Sequence, residues 1–205
     1  MLTSPISSFF CPTRIHLGIG AHTQLASVLQ GYDCQRLFIA LDRALQGGDF
    51  YQRIEAILAE QNIATAVFTD IEADPSDTTV ERAFAVCRAH NATAILAVGG
   101  GSTMDVAKAV GILATNGGRI HDYEGIEKFS KPPLPLIAIP TTAGTGSEVS
   151  GSCVISDTTR HLKMSIRHAA LNPAAVAILD PLALVTMPGH VASHSGLDAF
   201  VHAFE

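Results

Sequence analysis

Short apolar runs alternate along this chain with longer segments whose apolar residues recur at helical spacing. The runs have the length and the aliphatic composition of strands buried on both faces of a sheet. They are residues 36–41, 64–68, 94–98 and 136–139. The segments between them, at residues 44–61 and 77–90 and after residue 102, predict helices that pack on the sheet. Strands and helices in this alternation predict βαβ units, and therefore an α/β fold with a parallel sheet.

Weaker patterns complete the predicted order of elements. They indicate an edge strand at 14–19, a helix at 23–30 closed by Gly31, a hairpin of residues 153–156 and 163–166, a strand at 174–179 and a helix from residue 187 to the end. Two helix starts are predicted from capping residues: Asp77 before one helix, and Ser102 or Thr103 before the next.

A glycine loop follows the apolar run at residues 94–98. Gly99, Gly100 and Gly101 end the strand, and the hydroxyl of Ser102 comes directly before a helix. This arrangement aims free backbone N–H groups and the positive end of a helix at an anion, and glycines let a phosphate approach the backbone. The dinucleotide fingerprint requires a glycine where Met104 stands, and no P-loop signature is present. Taken alone, the loop is therefore equally consistent with a phosphate site and with a plain strand–helix turn.

Two more polar positions follow strands of the same predicted sheet. Asp42 comes after the run at 36–41, and Thr141–Ser147 after the run at 136–139. Ligands of parallel sheets bind beyond the carboxyl ends of the strands, so we expect both to converge with the glycine loop on a dinucleotide. Asp42 is placed to accept hydrogen bonds from the adenosine ribose and to repel a 2′-phosphate, which favours NAD over NADP. The alternatives are a helix N-cap for Asp42 and an ordinary Ser/Thr-rich turn for residues 141–147.

Composition and charge exclude several classes of partner. The 205 residues predict one to two domains, and the net charge of −6, without a basic cluster, gives no electrostatic support to nucleic-acid binding. No signal peptide and no apolar run of bilayer length is evident, so no membrane partner is expected. The four cysteines are widely spaced and predict neither a zinc knuckle nor a disulfide framework. A cytoplasmic protein is the expectation.

The last predicted helix carries a candidate metal pair and an apolar stripe. Asp198 and His202 are four residues apart and share a helix face, which makes half of a site for a divalent ion such as Fe²⁺ or Zn²⁺. A surface hydrogen bond between them is the simpler alternative. The stripe requires a partner surface, so self-association is expected, and no stop signal ends the helix, which predicts a chain cut in mid-element. The stripe consists of Leu197, Phe200, Val201 and Phe204.

Four motifs together closely resemble the iron-containing (group III) alcohol dehydrogenases. In order they are Gly99–Lys108, Pro140–Glu148, Leu179–Pro181 and Gly196–Glu205. The resemblance implies a dehydroquinate synthase-like fold: a Rossmann-like nucleotide-binding domain at residues 1–183, and at 184–205 the start of an incomplete all-helical domain. The glycerol dehydrogenase and dehydroquinate synthase branch shares the fold, but the second and fourth motifs resemble the alcohol dehydrogenases better.

The same resemblance implies the sites. Asp42 would select NAD, Lys163 would reach the cofactor, and Asp198 and His202 would be the first two ligands of Fe²⁺ or Zn²⁺, with two further histidines beyond residue 205. The reaction would be hydride transfer between a small alcohol or aldehyde and NAD; the alternative is an inactive NAD-binding fragment, and a homo-oligomer is the expected assembly. NAD would lie across Gly99, Gly100, Gly101, Ser102, Asp105, Thr141, Thr142, Thr145 and Ser147.

Overall fold

Every apolar run predicted as a strand forms one in the computed structural model, which describes residues 9–204. The strands are β1 (Arg14–Leu17), β2 (Arg36–Leu41), β3 (Ala64–Phe68), β4 (Ala94–Gly99), β5 (Gly125–Ile126), β6 (Leu136–Pro140), β7 (Ser152–Asp157), β8 (Leu162–Arg167) and β9 (Val176–Leu179). The helices are α1 (Leu25–Gly31), α2 (Asp49–Glu60), α3 (Asp77–His90), α4 (Gly101–Asn116) and α5 (Gly189–Phe204).

Six strands form a parallel sheet in the order β1-β9-β6-β4-β2-β3. From β2 the chain runs outward to β3, then returns through α3 to the other side of β2 to form β4. Strand order therefore reverses between β2 and β4, which opens a crevice at their carboxyl ends. The predicted α/β, Rossmann-like fold is confirmed.

Both faces of this sheet are covered, which is why its central strands read as unbroken apolar runs. Leu37, Ile39 and Leu41 of β2 pack with α1 and α2 on one face. On the other face α3, α4, β7 and β8 cover a surface that includes three alanines of adjacent strands in register, Ala40, Ala97 and Ala138. Small side chains in a row let α4 lie close to the sheet.

A second, three-stranded sheet has the order β5-β8-β7. The predicted hairpin at residues 153–156 and 163–166 is confirmed as the antiparallel pair β7–β8. Strand β5 was not predicted because it is only two residues long and pairs with β8 through the backbone of Gly125 and Ile126. Pairing over such a distance in sequence leaves no periodic signal.

The structure corrects several predicted helix starts. Helix α2 begins at Asp49, not at residue 44, because a 3-10 turn at Arg43–Leu45 comes first. Ser76, not Asp77, caps α3, with its hydroxyl oxygen accepting a hydrogen bond from Thr79 N. The prediction that Ser102 or Thr103 caps the next helix is wrong, because α4 already begins at Gly101. Within residues 9–204, no helix combines the length and hydropathy needed to cross a membrane.

A buried carboxylate, that of Asp180 directly after β9, links the end of β9 to the turn at Gly20 and His22 that follows β1. Asp180 is 2% exposed and His22 6%. The Oδ2 atom of Asp180 accepts hydrogen bonds from N and Nδ1 of His22, at 3.1 and 2.5 Å. Its Oδ1 atom accepts from the N–H groups of Gly20 and Leu182. Burial favours the protonated acid, but these hydrogen bonds outweigh it and hold the pKa of Asp180 below its usual value.

We expect Asp180→Ala to lower the free energy of unfolding at pH 7 by about 3 kcal/mol, since it strands several buried donors. Because the folded-state pKa is depressed, the contribution is present above the unfolded pKa of about 3.9 and is lost as pH falls through the lower folded value. Urea unfolding at pH 7 and below pH 4 measures both. The control, Asp70→Ala, removes a half-exposed acid paired with Arg43 and should cost under about 1 kcal/mol; equal losses in the two variants would contradict the prediction.

Candidate functional site

Three polar segments meet at the carboxyl edge of the sheet, as the sequence predicted. Strands β6, β4 and β2 are neighbours, and Gly99 stands opposite Pro140. The N–H of Thr141 donates to the carbonyl of Gly99 at 3.0 Å, and the N–H of Asp42 donates to the carbonyl of Val98 at 2.9 Å. The glycine loop therefore lies between the other two segments, at the reversal of strand order.

The amino end of α4 points into this crevice without a side-chain cap. Gly100 occupies the N-cap position and offers no side chain to accept a hydrogen bond. The N–H groups of the first turn, including that of Ser102, are therefore free of a capping side chain, and the helix dipole adds positive potential there. An uncapped helix start behind a glycine loop is suited to a phosphate group.

Two of the glycines are covered by threonines of the segment 141–147. A Cβ atom on Gly100 would lie 3.2 Å from Oγ1 of Thr142. One on Gly101 would lie 3.2 Å from Cγ2 of Thr145 and 3.3 Å from its Oγ1. Larger residues would therefore force the two loops apart. This close approach packs Thr142 and Thr145 directly against the glycine loop.

A buried lysine forms hydrogen bonds with the residues at and after the end of the segment 141–147. Lys108 of α4 is 2% exposed. Its Nζ atom donates to the carbonyls of Ser150 and Ser152, at 3.0 and 2.8 Å, and to the hydroxyl of Ser147 at 3.3 Å. Burial lowers the pKa of Lys108, while the charge of Asp105 acts in the opposite direction. Through Lys108, helix α4 therefore also holds Ser147, Ser150 and Ser152 in place.

Asp105 uses both carboxylate oxygens within the protein. Oδ1 accepts from the hydroxyl of Ser147 at 3.2 Å, and Oδ2 accepts from the N–H of Val154 at 3.1 Å. Burial raises the pKa of Asp105, opposed by the charge of Lys108. Asp105 and Ser147 therefore support the loop, and their direct contact with a cofactor stays a prediction. The sequence analysis missed Lys108, although its i,i+3 spacing from Asp105 on one helix is a signal for the pair.

The geometry of Asp42 is compatible with both roles considered for it, the helix cap and the ribose contact. Its Oδ1 atom caps the 3-10 turn at Arg43–Leu45 by accepting from the N–H of Ala44 at 3.0 Å. No hydrogen bond among residues 9–204 involves its Oδ2 atom. The cap alternative is thus realised, and one oxygen at the edge of the crevice remains available for a ribose hydroxyl.

Lys163 lies on β8, in the small sheet. Its ammonium group is 2.7 Å from Oδ1 of Asp74, and both side chains are more than half exposed. An exposed ion pair of this kind holds a lysine only weakly. The structure therefore places Lys163 beside the turn after β3, and its contact with a cofactor stays a prediction.

Asp198 and His202 lie on one face of α5, as their spacing predicted. The Nε2 atom of His202 is 3.6 Å from Oδ1 of Asp198, and the side chains are 62% and 45% exposed. That distance is too long for a hydrogen bond, so the simpler alternative is not formed. An imidazole nitrogen and a carboxylate oxygen are ligands that Fe²⁺ and Zn²⁺ accept.

Helix α5 approaches the segment 141–147 most closely at Gly144. A Cβ atom on Gly144 would lie 2.5 Å from the carbonyl oxygen of Ser195 and 3.0 Å from its Cα. Only glycine fits here, and Asp198 and His202 begin about one turn beyond the point where α5 meets residues 141–147. The predicted apolar stripe of α5 is solvent-exposed. The exposed fractions are 63% for Leu197, 65% for Phe200, 45% for Val201 and 84% for Phe204.

Comparison with known proteins agrees with this geometry. The sequence profile of iron-containing alcohol dehydrogenases matches residues 12–181. NAD-dependent methanol dehydrogenase of Bacillus methanolicus is 36% identical over 98% of this chain and 52% of its own length. A crystal structure of 1,3-propanediol oxidoreductase has a TM-score of 0.93 and 32% identity, covering 98% of this chain and 52% of its own.

A third relative has been solved with a nucleotide bound. Sulfoacetaldehyde reductase of Bifidobacterium kashiwanohense, in complex with NAD⁺, has a TM-score of 0.84 and 28% identity over 95% of this chain and 51% of its own. The chain thus spans about half the length of the relatives it matches. The profile match over most of its residues, together with these likenesses, shows that the chain belongs to the iron-containing alcohol dehydrogenase family.

Proposed function

We propose that this chain carries the NAD-binding half and two metal ligands of an alcohol dehydrogenase acting on a small alcohol or aldehyde. The observation that carries the proposal is the uncapped start of α4, set between Asp42 and the threonines of residues 141–147 at the reversal of strand order. The names of the methanol dehydrogenase and of the NAD⁺ complex support NAD as the dinucleotide. In this proposal residues 1–183 form the cofactor domain, and residues 184–205 belong to a helical domain.

Each part of the crevice has a duty in binding. The pyrophosphate accepts hydrogen bonds from the N–H groups at the start of α4 and from the hydroxyls of Ser102, Thr142 and Thr145. Asp42 accepts from the adenosine ribose. The glycines keep side chains out of the path of the phosphates. Lys108 and Asp105 stabilise the conformation of the segment 141–147 and of the residues that follow it.

The donor set of α5 fits the family's metal. Asp198 and His202 would hold Fe²⁺ or Zn²⁺ through one oxygen and one nitrogen, and in this half-exposed pair no other described side chain competes for them. A bound metal supplies Lewis-acid polarisation of the alcohol or aldehyde oxygen, and NAD supplies the hydride acceptor.

A second candidate is an NAD-binding unit without turnover. The exposure of Asp198 and His202 favours it, because a site that water reaches freely lacks the dry environment that hydride chemistry uses. The two candidates share cofactor binding and differ in activity.

Calorimetric titration of NAD, with and without Fe²⁺ or Zn²⁺, tests the proposal. We expect saturable NAD binding that ADP-ribose reproduces and nicotinamide mononucleotide does not, since the α4 site is selective for the pyrophosphate and the adenosine side. Absence of NAD binding would refute both candidates. NAD binding with NADH formation from small alcohols in the presence of metal supports the dehydrogenase; binding without turnover supports the second candidate.

Asp42→Gly should strengthen NADP binding at least about fivefold relative to NAD, because a carboxylate near a 2′-phosphate costs about 1 kcal/mol or more. Asp42→Asn is the matched variant: it keeps the cap on Ala44 and removes only the charge, so it should change the ratio in the same direction. Affinities for NAD and NADP are measured side by side. An unchanged ratio in both variants would show that Asp42 does not select the nucleotide.

We also propose self-association through the exposed stripe of α5. Phe200→Ser should lower the apparent mass in light scattering, because Phe200 is 65% exposed at the centre of the stripe. Ile126→Ser serves as a control on a different surface, since Ile126 is 67% exposed on β5. A monodisperse monomer for the unchanged chain would rule this assembly out.

A further inference from the structure

A cluster of metal-ligating side chains lies outside the crevice and outside α5. Asp77 is the first residue of α3, His121 lies on the 3-10 turn Ile120–Tyr123, and Asp157 is the last residue of β7. One ligand atom from each lies within 4.8 Å of the other two. The segments are far apart in sequence, so only the fold brings these groups together.

The imidazole of His121 faces both carboxylates without an aligned hydrogen bond to either. Its Nε2 atom is 3.0 Å from Oδ2 of Asp77 and 3.4 Å from Oδ2 of Asp157, within ion-pair range. Yet Nε2 is inaccessible to solvent and is aligned for no hydrogen bond. The carboxylates themselves are 5% and 1% exposed. This nitrogen is therefore in ion-pair contact with two buried carboxylates but forms an aligned hydrogen bond with neither.

The spacing matches a shared cation. Ligands that each lie about 2.0–2.2 Å from a tetrahedral or octahedral ion are separated by roughly 3.0–3.5 Å. The two distances from Nε2 fall in that range. The Nε2 distances are therefore compatible with a common ion, and all three ligand atoms lie within 4.8 Å of one another.

Neighbouring donors already orient both carboxylates. Oδ1 of Asp77 accepts from the hydroxyl of Thr158 and the N–H of Thr78, each at 2.8 Å. Oδ1 of Asp157 accepts from the N–H groups of Thr159 and Arg160, each at 2.8 Å. The Oδ2 atoms, which face His121, also accept hydrogen bonds: that of Asp77 from the N–H of Thr158 at 3.3 Å, and that of Asp157 from Nε of Arg160 at 2.5 Å. Outer hydrogen bonds of this kind typically orient metal ligands.

Local charge also calls for a cation. Nε of Arg160 contacts Oδ2 of Asp157 at 2.5 Å, and its NH2 atom contacts Glu124 at 2.7 Å. With Asp77, the cluster holds three carboxylates against two guanidinium groups, those of Arg160 and of Arg119, whose Nη2 atom lies 3.4 Å from Nδ1 of His121. The formal excess is one negative charge with His121 neutral, and a cation bound between Asp77 and Asp157 would offset it.

We propose that Asp77, His121 and Asp157 bind a divalent transition metal ion, a second metal site separate from the pair on α5. Two carboxylate oxygens and one imidazole nitrogen suit Zn²⁺, Fe²⁺ or Mn²⁺. The ion is structural: it ties the turn before β5 to the start of α3 and the end of β7, and so fastens the small sheet to the large one.

The test is Zn²⁺ titration of a 205-residue chain carrying His202→Gln, which disables the α5 pair. We expect one Zn²⁺ to bind by calorimetry and to raise the melting temperature. Adding His121→Gln should weaken binding at least about tenfold, the loss that even an outer-shell change can cause. Adding His161→Asn, at an exposed histidine four residues beyond Asp157, should leave binding unchanged.

X-ray absorption at the zinc edge of the His202→Gln chain gives an independent readout. A shell of oxygen and nitrogen with one imidazole supports the site, whereas sulfur ligands or no bound zinc would overturn it. Should His121→Gln fail to fold, Asp77→Asn takes its place in the titration. If the Asp77→Asn and His161→Asn variants then bound Zn²⁺ with equal affinity, the site would also be overturned. NAD is absent from these measurements, so their outcome is independent of the proposed function.

Discussion

Replacing Lys108 with methionine should lower the free energy of unfolding by about 3–5 kcal/mol and abolish NAD binding. The change leaves buried acceptors without their donor, at about 1–3 kcal/mol each, and takes away the positive charge that favours ionised Asp105. Asp105 would keep its charge in a half-buried site, and the carbonyls of Ser150 and Ser152 would lose their donor. The loop at residues 141–147 would then lose the support that holds its threonines against the glycines.

Urea unfolding and NAD calorimetry measure the two effects of Lys108→Met. Lys131→Met, at an exposed lysine, is the matched control and should cost under about 0.5 kcal/mol. A double variant, Lys108→Met with Asp105→Asn, should recover part of the loss, because it removes the unpaired charge as well. If Lys108→Met were as stable as the control, the lysine would not hold the loop.

Gly99→Ala is expected to weaken NAD binding by about a hundredfold and to destabilise the fold by about 1–3 kcal/mol. The new Cβ would lie 2.4 Å from Oγ1 and 2.7 Å from Cβ of Thr103. Thr103 is 3% exposed, and a β-branched side chain in a helix has little rotamer freedom to move aside. The start of α4 must therefore shift away from β4, carrying its free N–H groups out of position.

Gly111→Ala, within α4, is the control for Gly99→Ala. Its Cβ would meet Cβ of Pro133 at 3.4 Å and Cδ1 of Ile95 at 3.5 Å, ordinary contacts. Since alanine also favours the helix by up to about 1 kcal/mol, this variant should be as stable as the parent or more so and should bind NAD normally. Normal NAD affinity in Gly99→Ala would mean that the position of the α4 start does not govern binding.

Most of the crevice at the carboxyl edge could be predicted from local patterns. Each of its segments follows a strand directly, and the strands are marked by apolar runs such as residues 36–41 and 94–98. In a parallel sheet all carboxyl ends share one edge, so the order of strands need not be known to expect Asp42 and Gly99–Ser102 at the same place. The structure adds that these strands are immediate neighbours.

Helix starts were predicted less well. A hydroxyl residue near a helix start is a cap only if it occupies the one position with extended backbone, and Gly100 takes that position before α4. The sequence offers two nearby capping candidates, Ser102 and Thr103. It therefore did not reveal that the N–H groups at the start of α4 lack a capping side chain.

The sequence by itself determined the α/β class, the position of each large-sheet strand, the family and the shared face of Asp198 and His202. These depend on periodicity and on spacing within one element, which local geometry dictates. Only the tertiary structure decided that Lys108 supports the 141–147 loop, that Gly144 meets α5, and that His121 comes between two carboxylates. Such contacts join residues from separate elements, and their distances depend on how those elements pack, which no local pattern records.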